Sequence, residues 1–364
     1  MRRGAWFVAT LAAGCALAVA GCGDDDEGGG GGGASGGGDA PGKVAVLLPD
    51  SKSSVRWETV DRPFLQKAFE DAGVEVEIQN AEGDKATQQQ QAEQAITNGA
   101  KVLLLVNLDS GSGAAIAANA KSQDVKVIDY DRLTLDGDSD FYVSFDNEQV
   151  GKLQGEGLVN CVGDKPDAQI AVLNGSPTDN NATLFKKGYD SVINPKFDSG
   201  DWTEVADQSV PDWDNQRALT IFEQMLQKAD NKIDGVLAAN DGLGNAAISA
   251  IKQRKLDQIP VTGQDATLQG VQNILAGDQC MTVYKAIKKE ADAAAKLGIA
   301  LAKGQTPEAP DSINNGTKDV PSVFLDPVAV TKDNIKEYLG EPDFPKKEEI
   351  CAGKLASACT EAGL

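Results

Sequence analysis

Histidine is absent from all 364 residues. That removes the commonest general base, the Ser-His and Cys-His nucleophile pairs and the commonest metal ligand, which argues against an enzyme and leaves no metal or other cofactor to expect. Positive charge is scarce as well: 34 Lys and Arg stand against 55 Asp and Glu, a net charge of −21. A surface of that sign repels phosphate backbones and anionic bilayers at range, so nucleic acid is set aside as a partner. Aromatic side chains make up only 5% of the chain, with four tryptophans. Where an indole falls is therefore informative.

The N-terminal stretch MRRGAWFVATLAAGCALAVAGC follows two arginines with an apolar run that closes on small residues at Cys22. The run is too short and too early for an ordinary spanning helix and reads as an export signal. Val19-Ala20-Gly21-Cys22 resembles the bacterial lipobox, in which the thiol receives a diacylglycerol and the new N-terminus is acylated. Several acyl chains anchor stably where one does not. Residues 1–21 are expected as a lipoprotein signal peptide and Cys22 as the lipidation site; plain secretion is the alternative, and Cys15 is a weaker acceptor. The Gly- and Asp-rich segment 22–42 cannot bury a core and is expected as a flexible tether. The protein is thus expected outside the cytoplasm, held to the outer face of the cytoplasmic membrane by lipid alone.

Four cysteines remain beyond the tether: Cys161, Cys280, Cys351 and Cys359. Disulfides persist in exported proteins, and Cys351 with Cys359 is the local pairing expected. Four thiols allow three pairings, and some can instead be free, buried, small hydrophobes.

The length implies about two domains, and an apolar content of 41% is ordinary for a globular chain. From Lys43 onward short β-branched runs alternate with amphipathic segments. VAVLL precedes a helical pattern with Phe64, Leu65, Ala68, Phe69 and Ala72 on one face, and KVLLLV precedes GAAIAANAKSQ. Such alternation implies crossover helices and a parallel sheet. The order then repeats: QIAVLNGS resembles KVAVLLPD, GVLAAND resembles KVLLLVN and IPVTGQDA resembles VKVIDYDR, roughly 130 positions on. Two similar lobes follow. The chain is expected to cross between them three times, near SFDN, TVYK and LDP.

In open parallel sheets ligands bind beyond the carboxyl ends of the strands, where loops and helix N-termini leave a crevice. The first strand delivers Arg56 and Trp57, the fourth Asp131 and Arg132, and the strand at 169–174 the SPTDNN loop with Asp179 and Asn181. Trp213 follows ADQSVPD, Asn240 ends GVLAAN, Asp265 ends GQD and Lys285 ends TVYK. Both charge signs, amides and two flat rings fit a neutral polyhydroxyl compound better than a phosphate. Acids and amides take the protons of its hydroxyls while arginine, lysine and amide N–H groups feed its oxygens, and indoles cover the apolar faces of a pyranose.

Each residue also has a bland reading. The Arg56-Trp57 pair, in what should be a solvent-facing turn, can be surface cover. Asp131-Arg132 can be an ion pair, Asp179 and Asn181 can cap the next helix, and Asp265 can start one. Trp202 has no strand-end position and is read as structural. The coincidence of the other placements favours a site.

From about Lys43 to about Tyr338 the chain resembles the periplasmic D-xylose-binding proteins of ABC sugar importers, within the type I periplasmic sugar-binding proteins. The strings that carry the resemblance are DYDR (129–132), DFYVSFDNEQVGKLQ (140–154), GSPTDNNATLFKKG (175–188), NDGLG (240–244), GQDA (263–266), MTVYK (281–285) and NNGTKDVPS (314–322). The resemblance implies that Arg56, Trp57, Asp131, Arg132, Asp179, Asn181, Trp213, Asn240, Asp265 and Lys285 touch sugar. It also implies a monomer that closes on a monosaccharide and presents it to ABC permease subunits. The expected fold class is α/β, two doubly wound parallel-sheet lobes joined by a three-segment hinge. The lobes are 43–145 with 285–323 and 146–284 with 324–345, and a Cys-containing tail covers 346–364. D-xylose is the expected ligand. The alternatives are glucose, galactose or arabinose, a sugar-sensing partner of a membrane receptor and, last, a sugar-acting enzyme. Leu243, a shortened stretch between Asn240 and Asp265, Cys161, Cys280 and the tail depart from the family pattern.

Overall fold

Strand β1 (Lys43–Leu48) is apolar on both faces, which places it inside a sheet covered on both sides. In the computed structural model, which describes residues 41–364, that is where it lies; residues 1–40, with Cys22 and most of the tether, lie outside the described residues. The first half continues through α1 (Arg62–Asp71), β2 (Val76–Asn80), α2 (Lys85–Thr97), β3 (Ala100–Leu105), α3 (Ser110–Ser122), β4 (Lys126–Tyr130) and β5 (Phe141–Phe145). The period of two divides the core. Val44, Val46 and Leu48 pack with Leu65 and Phe69 of α1, while Ala45 and Leu47 pack with Ala92 and Ile96 of α2 and Ile116 of α3.

The second half contains α4 (Asn147–Val162), β6 (Ala168–Asn174), α5 (Asn180–Asp198), β7 (Trp202–Ser209), α6 (Asn215–Lys228), β8 (Gly235–Ala238), α7 (Asp241–Gln253) and α8 (Leu268–Ala276). Then follow β9 (Thr282–Tyr284), α9 (Ile287–Ala302), β10 (Asp311–Asn314), β11 (Asp319–Leu325), β12 (Val328–Val330), α10 (Ile335–Tyr338), α11 (Lys347–Ile350) and α12 (Ala356–Glu361). One sheet has the order β10-β11-β5-β4-β3-β1-β2, and a smaller one β7-β6-β8. The sequence repeat is visible in these orders. β1 lies parallel between β2 and β3 as β6 lies parallel between β7 and β8, and Val261 bridges to Val236 of β8 where β4 follows β3.

The chain leaves the larger sheet after β5, returns through Lys285 into α9, which packs on the α1 face, and leaves again after β11. β12 then pairs antiparallel with β9. Five aspartates and one asparagine sit at helix starts: Asp84, Asp109, Asp146, Asp179, Asp214 and Asn240 each accept a first-turn backbone N–H of helices α2 to α7.

Among the described residues two disulfides are formed. Cys351 joins Cys359 (Cα–Cα 5.7 Å) inside the C-terminal segment, and Cys161 of α4 joins Cys280 just before β9 (Cα–Cα 6.3 Å). The segment from 346 onward packs Ile350 and Cys359 onto Val271 and Leu275 of α8. Trp202 is buried at the start of β7 against Phe197.

Candidate functional site

The carboxyl ends of β1, β4, β6 and β8 face one another across the crossings, and every sugar-contact residue expected from the sequence reaches the same place. Arg56, Trp57, Asp131, Arg132, Asp179, Asn181, Trp213, Asn240, Asp265 and Lys285 line one cavity of about 30 Å³. The sequence reading missed four further lining residues, Ser53, Ser54, Phe185 and Gln264. Phe185 was within reach, because it lies one helical turn beyond Asn181 and so shares its face of α5. Gln264 and the two serines carry no comparable periodic signal.

The local structure corrects one expectation. Arg56 and Trp57 do not occupy a solvent-facing turn: they are 6% and 3% exposed, and Trp57–Asp61 forms a π-helical turn that runs into α1. Arg56 folds back on that turn, with Nε and Nη2 donating to the two oxygens of Asp61 at 2.9 Å each. The guanidinium also sits 4.2 Å from the Trp57 ring centroid, a cation–π contact. Sequence spacing hides this because the partners of a buried arginine come from several elements.

The bland readings sort themselves individually. Asp131 and Arg132 do not pair with each other. Asp131 takes Arg56 Nη1 at 2.9 Å and lies 3.7 Å from Lys285 Nζ, whereas Arg132 Nε meets Asp179 Oδ2 at 3.1 Å. Asp179 does cap α5, through the Asn181 N–H, and also accepts the Trp213 indole N–H at 3.0 Å. Asn240 caps α7. Asp265 does not start α8, whose cap is Thr267; its carboxylate lies 3.4 Å from Lys285 Nζ. Asn181 Nδ2 donates to the Asp131 carbonyl and carboxylate at 3.0 and 3.1 Å. Of these, the Arg132–Asp179, Asn181–Asp131 and Lys285–Asp265 contacts join the two lobes at their rims.

Left-handed backbone, found at twelve non-glycine residues among those described, includes four here. Asp131, Asp212, Trp213 and Asp265 have φ of 63°, 59°, 54° and 95°. Non-glycine residues seldom adopt this region, bulky ones least of all, and such strain persists only where the surroundings enforce it. At Trp213 the enforcement is visible. Its ring lies where a Cβ on Gly175 would stand and meets Phe185 edge-on at 6.4 Å, while Asp179 holds its N–H.

Electrostatics favour the charged forms of Arg56 and Asp131. Burial opposes ionisation of Arg56, but the neighbouring carboxylates, Asp61 first and then Asp131, outweigh it and hold its pKa well above the ordinary guanidinium value. Burial likewise opposes ionisation of Asp131, and Arg56, Lys285 and Arg132 outweigh it, so that its pKa falls below the usual value. Gln264 Oε1 is a buried acceptor without a partner. The cavity is thus walled by fixed hydrogen-bond donors and acceptors of both charge signs.

Two doubly wound lobes, three crossings and a polar cavity between facing strand ends define a binding protein of the type I periplasmic class. The chain belongs to that family: the family model described as a periplasmic binding protein domain matches residues 44–306. It is 40% identical over 309 residues to the D-xylose-binding periplasmic protein of Escherichia coli, covering 85% of this chain and 92% of that one. It is 34% identical over 328 residues to the multiple sugar-binding periplasmic receptor ChvE of Rhizobium radiobacter, covering 85% and 92%. A solved ABC transporter solute-binding protein from Clostridium phytofermentans with bound β-D-glucose matches with a TM-score of 0.79 at 32% identity, covering 84% of this chain and 99% of that one.

Proposed function

We propose that the chain is an extracytoplasmic sugar-binding protein that captures an aldopyranose, D-xylose first, between its lobes and delivers it to an ABC permease. The observation that carries this reading is the convergence of ten sequence-distant residues on one cavity. The lobes are taken as 43–145 with 285–323 and 146–284 with 324–345. The cavity is small, and the cross-lobe contact of Lys285 with Asp265 is long at 3.4 Å, as is its contact with Asp131 at 3.7 Å within its own lobe. A pyranose enters by parting these groups and replacing their mutual contacts with its hydroxyls. Gln264 Oε1 and the carboxylates accept from it, Lys285 and Arg132 donate to it, and Trp57 and Trp213 cover its C–H faces.

Closure follows only from extra affinity for the closed form, and that affinity comes from groups on both lobes acting on one ligand. Losing one hydroxyl leaves a buried charge unpaired, so discrimination among aldoses is expected to be sharp. Glucose is the second reading, favoured by the glucose bound in the Clostridium phytofermentans structure. Cys22 is proposed as the lipid anchor, and Cys22→Ser should release the protein from the membrane fraction.

Two tryptophans in the cavity make intrinsic fluorescence the direct assay. Titration with xylose, glucose, galactose and arabinose should show a saturable change, strongest for xylose. No response to any aldose overturns the reading, and recovery of chemically altered sugar would replace binding with turnover.

A further inference from the structure

Arg56 is held by more acid than one cation needs. Asp61 takes Nε and one Nη2 N–H, Glu290 Oε2 takes the other Nη2 N–H at 3.0 Å, and Asp131 takes one Nη1 N–H. A guanidinium has five N–H groups, so a single Nη1 N–H is left to point elsewhere. Glu290 itself is fully buried on α9, among Ala291, Ala294 and Ala295. It does not line the cavity.

The three carboxyls are unequally served. Asp61 has two Arg56 contacts and the Tyr130 hydroxyl at 2.6 Å, and Asp131 has Arg56, Asn181 and Lys285. Glu290 has one Arg56 N–H, and its Oε1 is buried with no partner. An ionised carboxylate so placed leaves an unsolvated charge beside two others, which is the costliest arrangement of the three.

We propose that Glu290 and Asp61 are positioning residues that fix Arg56 for the ligand, and that Glu290 does so as the neutral acid. This rests on the sugar-binding reading. The groups that face Glu290 are Arg56 and Asp61 from the turn before α1, Tyr130 and Asp131 from β4 and the loop after it, Tyr142 from β5, and Lys285 from the crossing. Burial and then the Asp131 charge raise the Glu290 pKa well above the usual carboxyl value, against the pull of Arg56. A neutral acid still accepts from Arg56 through its carbonyl oxygen, and it holds the guanidinium without a further negative charge.

The sign of the pH effect follows. The folded chain keeps this proton to a higher pH than the unfolded chain, so the group makes stability fall as pH rises above about 4.5. Glu290→Gln copies the neutral acid in shape and removes the titration. The full chain and its Glu290→Gln and Glu290→Ala variants are unfolded thermally from pH 4.5 to 8.5 and titrated with the aldose that the unmodified protein binds. Gln should unfold at a higher temperature than the unmodified protein at pH 8, with the gap closing toward pH 4.5. Ala should lose about tenfold in affinity, one charged hydrogen bond's worth, and Gln should restore it. Gln melting below the unmodified protein at pH 8, or losing as much affinity as Ala, overturns the neutral acid. Full affinity in Ala overturns the positioning role. If the unmodified protein binds no aldose, the sugar reading fails, while the melting comparison still decides the protonation state. Where Ala does not fold, Gln alone carries the test.

Discussion

The two oxygens of Asp179 serve three donors: the Asn181 N–H that begins α5, the Trp213 indole and the Arg132 guanidinium from the other lobe. One side chain thereby ties a helix start, a strained tryptophan and the opposite rim together. Capping and charge pairing separate by substitution. Asparagine caps as well as aspartate, but its NH2 group cannot accept from Arg132 or the indole. Asp179→Asn should therefore keep most of the stability and lose about tenfold to a hundredfold in sugar affinity, whereas Asp179→Ala loses the affinity and about 1 kcal/mol of stability more. Isothermal titration beside thermal melts separates the two. Equal affinity in Asn and the unmodified protein would remove the charge from the site.

At the scale of elements, the crossing between β9 and α9 carries Lys285, and Ala286, at the N-cap position before α9, offers the helix no side-chain cap. The missing cap is supplied from the loop between α10 and α11: Asp343 accepts the Lys288 N–H at 3.0 Å and the Tyr284 hydroxyl at 2.6 Å, bracketing Lys285 from both sides. Asp343→Ala should lower stability by about 1–2 kcal/mol and weaken sugar binding as the crossing loosens, with Asp343→Asn recovering part of both. A melt unchanged from the unmodified protein would sink this.

The same contact shows what a sequence exposes. Strand alternation, the repeat of β1 and β3 as β6 and β8, and the polar residues at strand ends are local patterns, so the fold and the ten lining residues were legible. Asp343 caps a helix 55 positions away, and Asp61 holds Arg56 through a π-turn with no compositional mark. Glu290 left one trace, a lone acid on the alanine face of α9. Contacts that depend on three-dimensional return of the chain have no short-range signature. The pairing of Cys161 with Cys280, 119 positions apart, is another.

For the whole molecule, the acid surplus decides how stability responds to pH. Burial raises Asp129 and Asp241 to about 6, each in a nest of hydroxyl and N–H donors that only partly offsets it. Asp129 and Asp241 keep protons in the folded chain that the unfolded chain has released between about pH 4 and 6, so stability falls as pH climbs through that window, and Glu290, raised well above the usual carboxyl value, carries the fall to higher pH. Glu58, Glu77, Asp109, Asp131 and Asp138 are shifted the other way by ion pairs and hydrogen bonds, and their contribution is lost as pH drops below about 4. The net charge of −21 adds self-repulsion that deepens as the remaining carboxyls ionise and that salt screens. The melting temperature should accordingly peak near pH 5 and fall by several degrees toward pH 8, on the order of 2–4 °C per kcal/mol for a chain of this size or somewhat less. Added salt should restore part of the loss at pH 8 and little of it at pH 5. Differential scanning calorimetry across that range reads both effects, and a melting temperature that rises steadily from pH 5 to pH 8 would mean that the buried acids are ionised in the folded protein and that their donors, not their burial, control them.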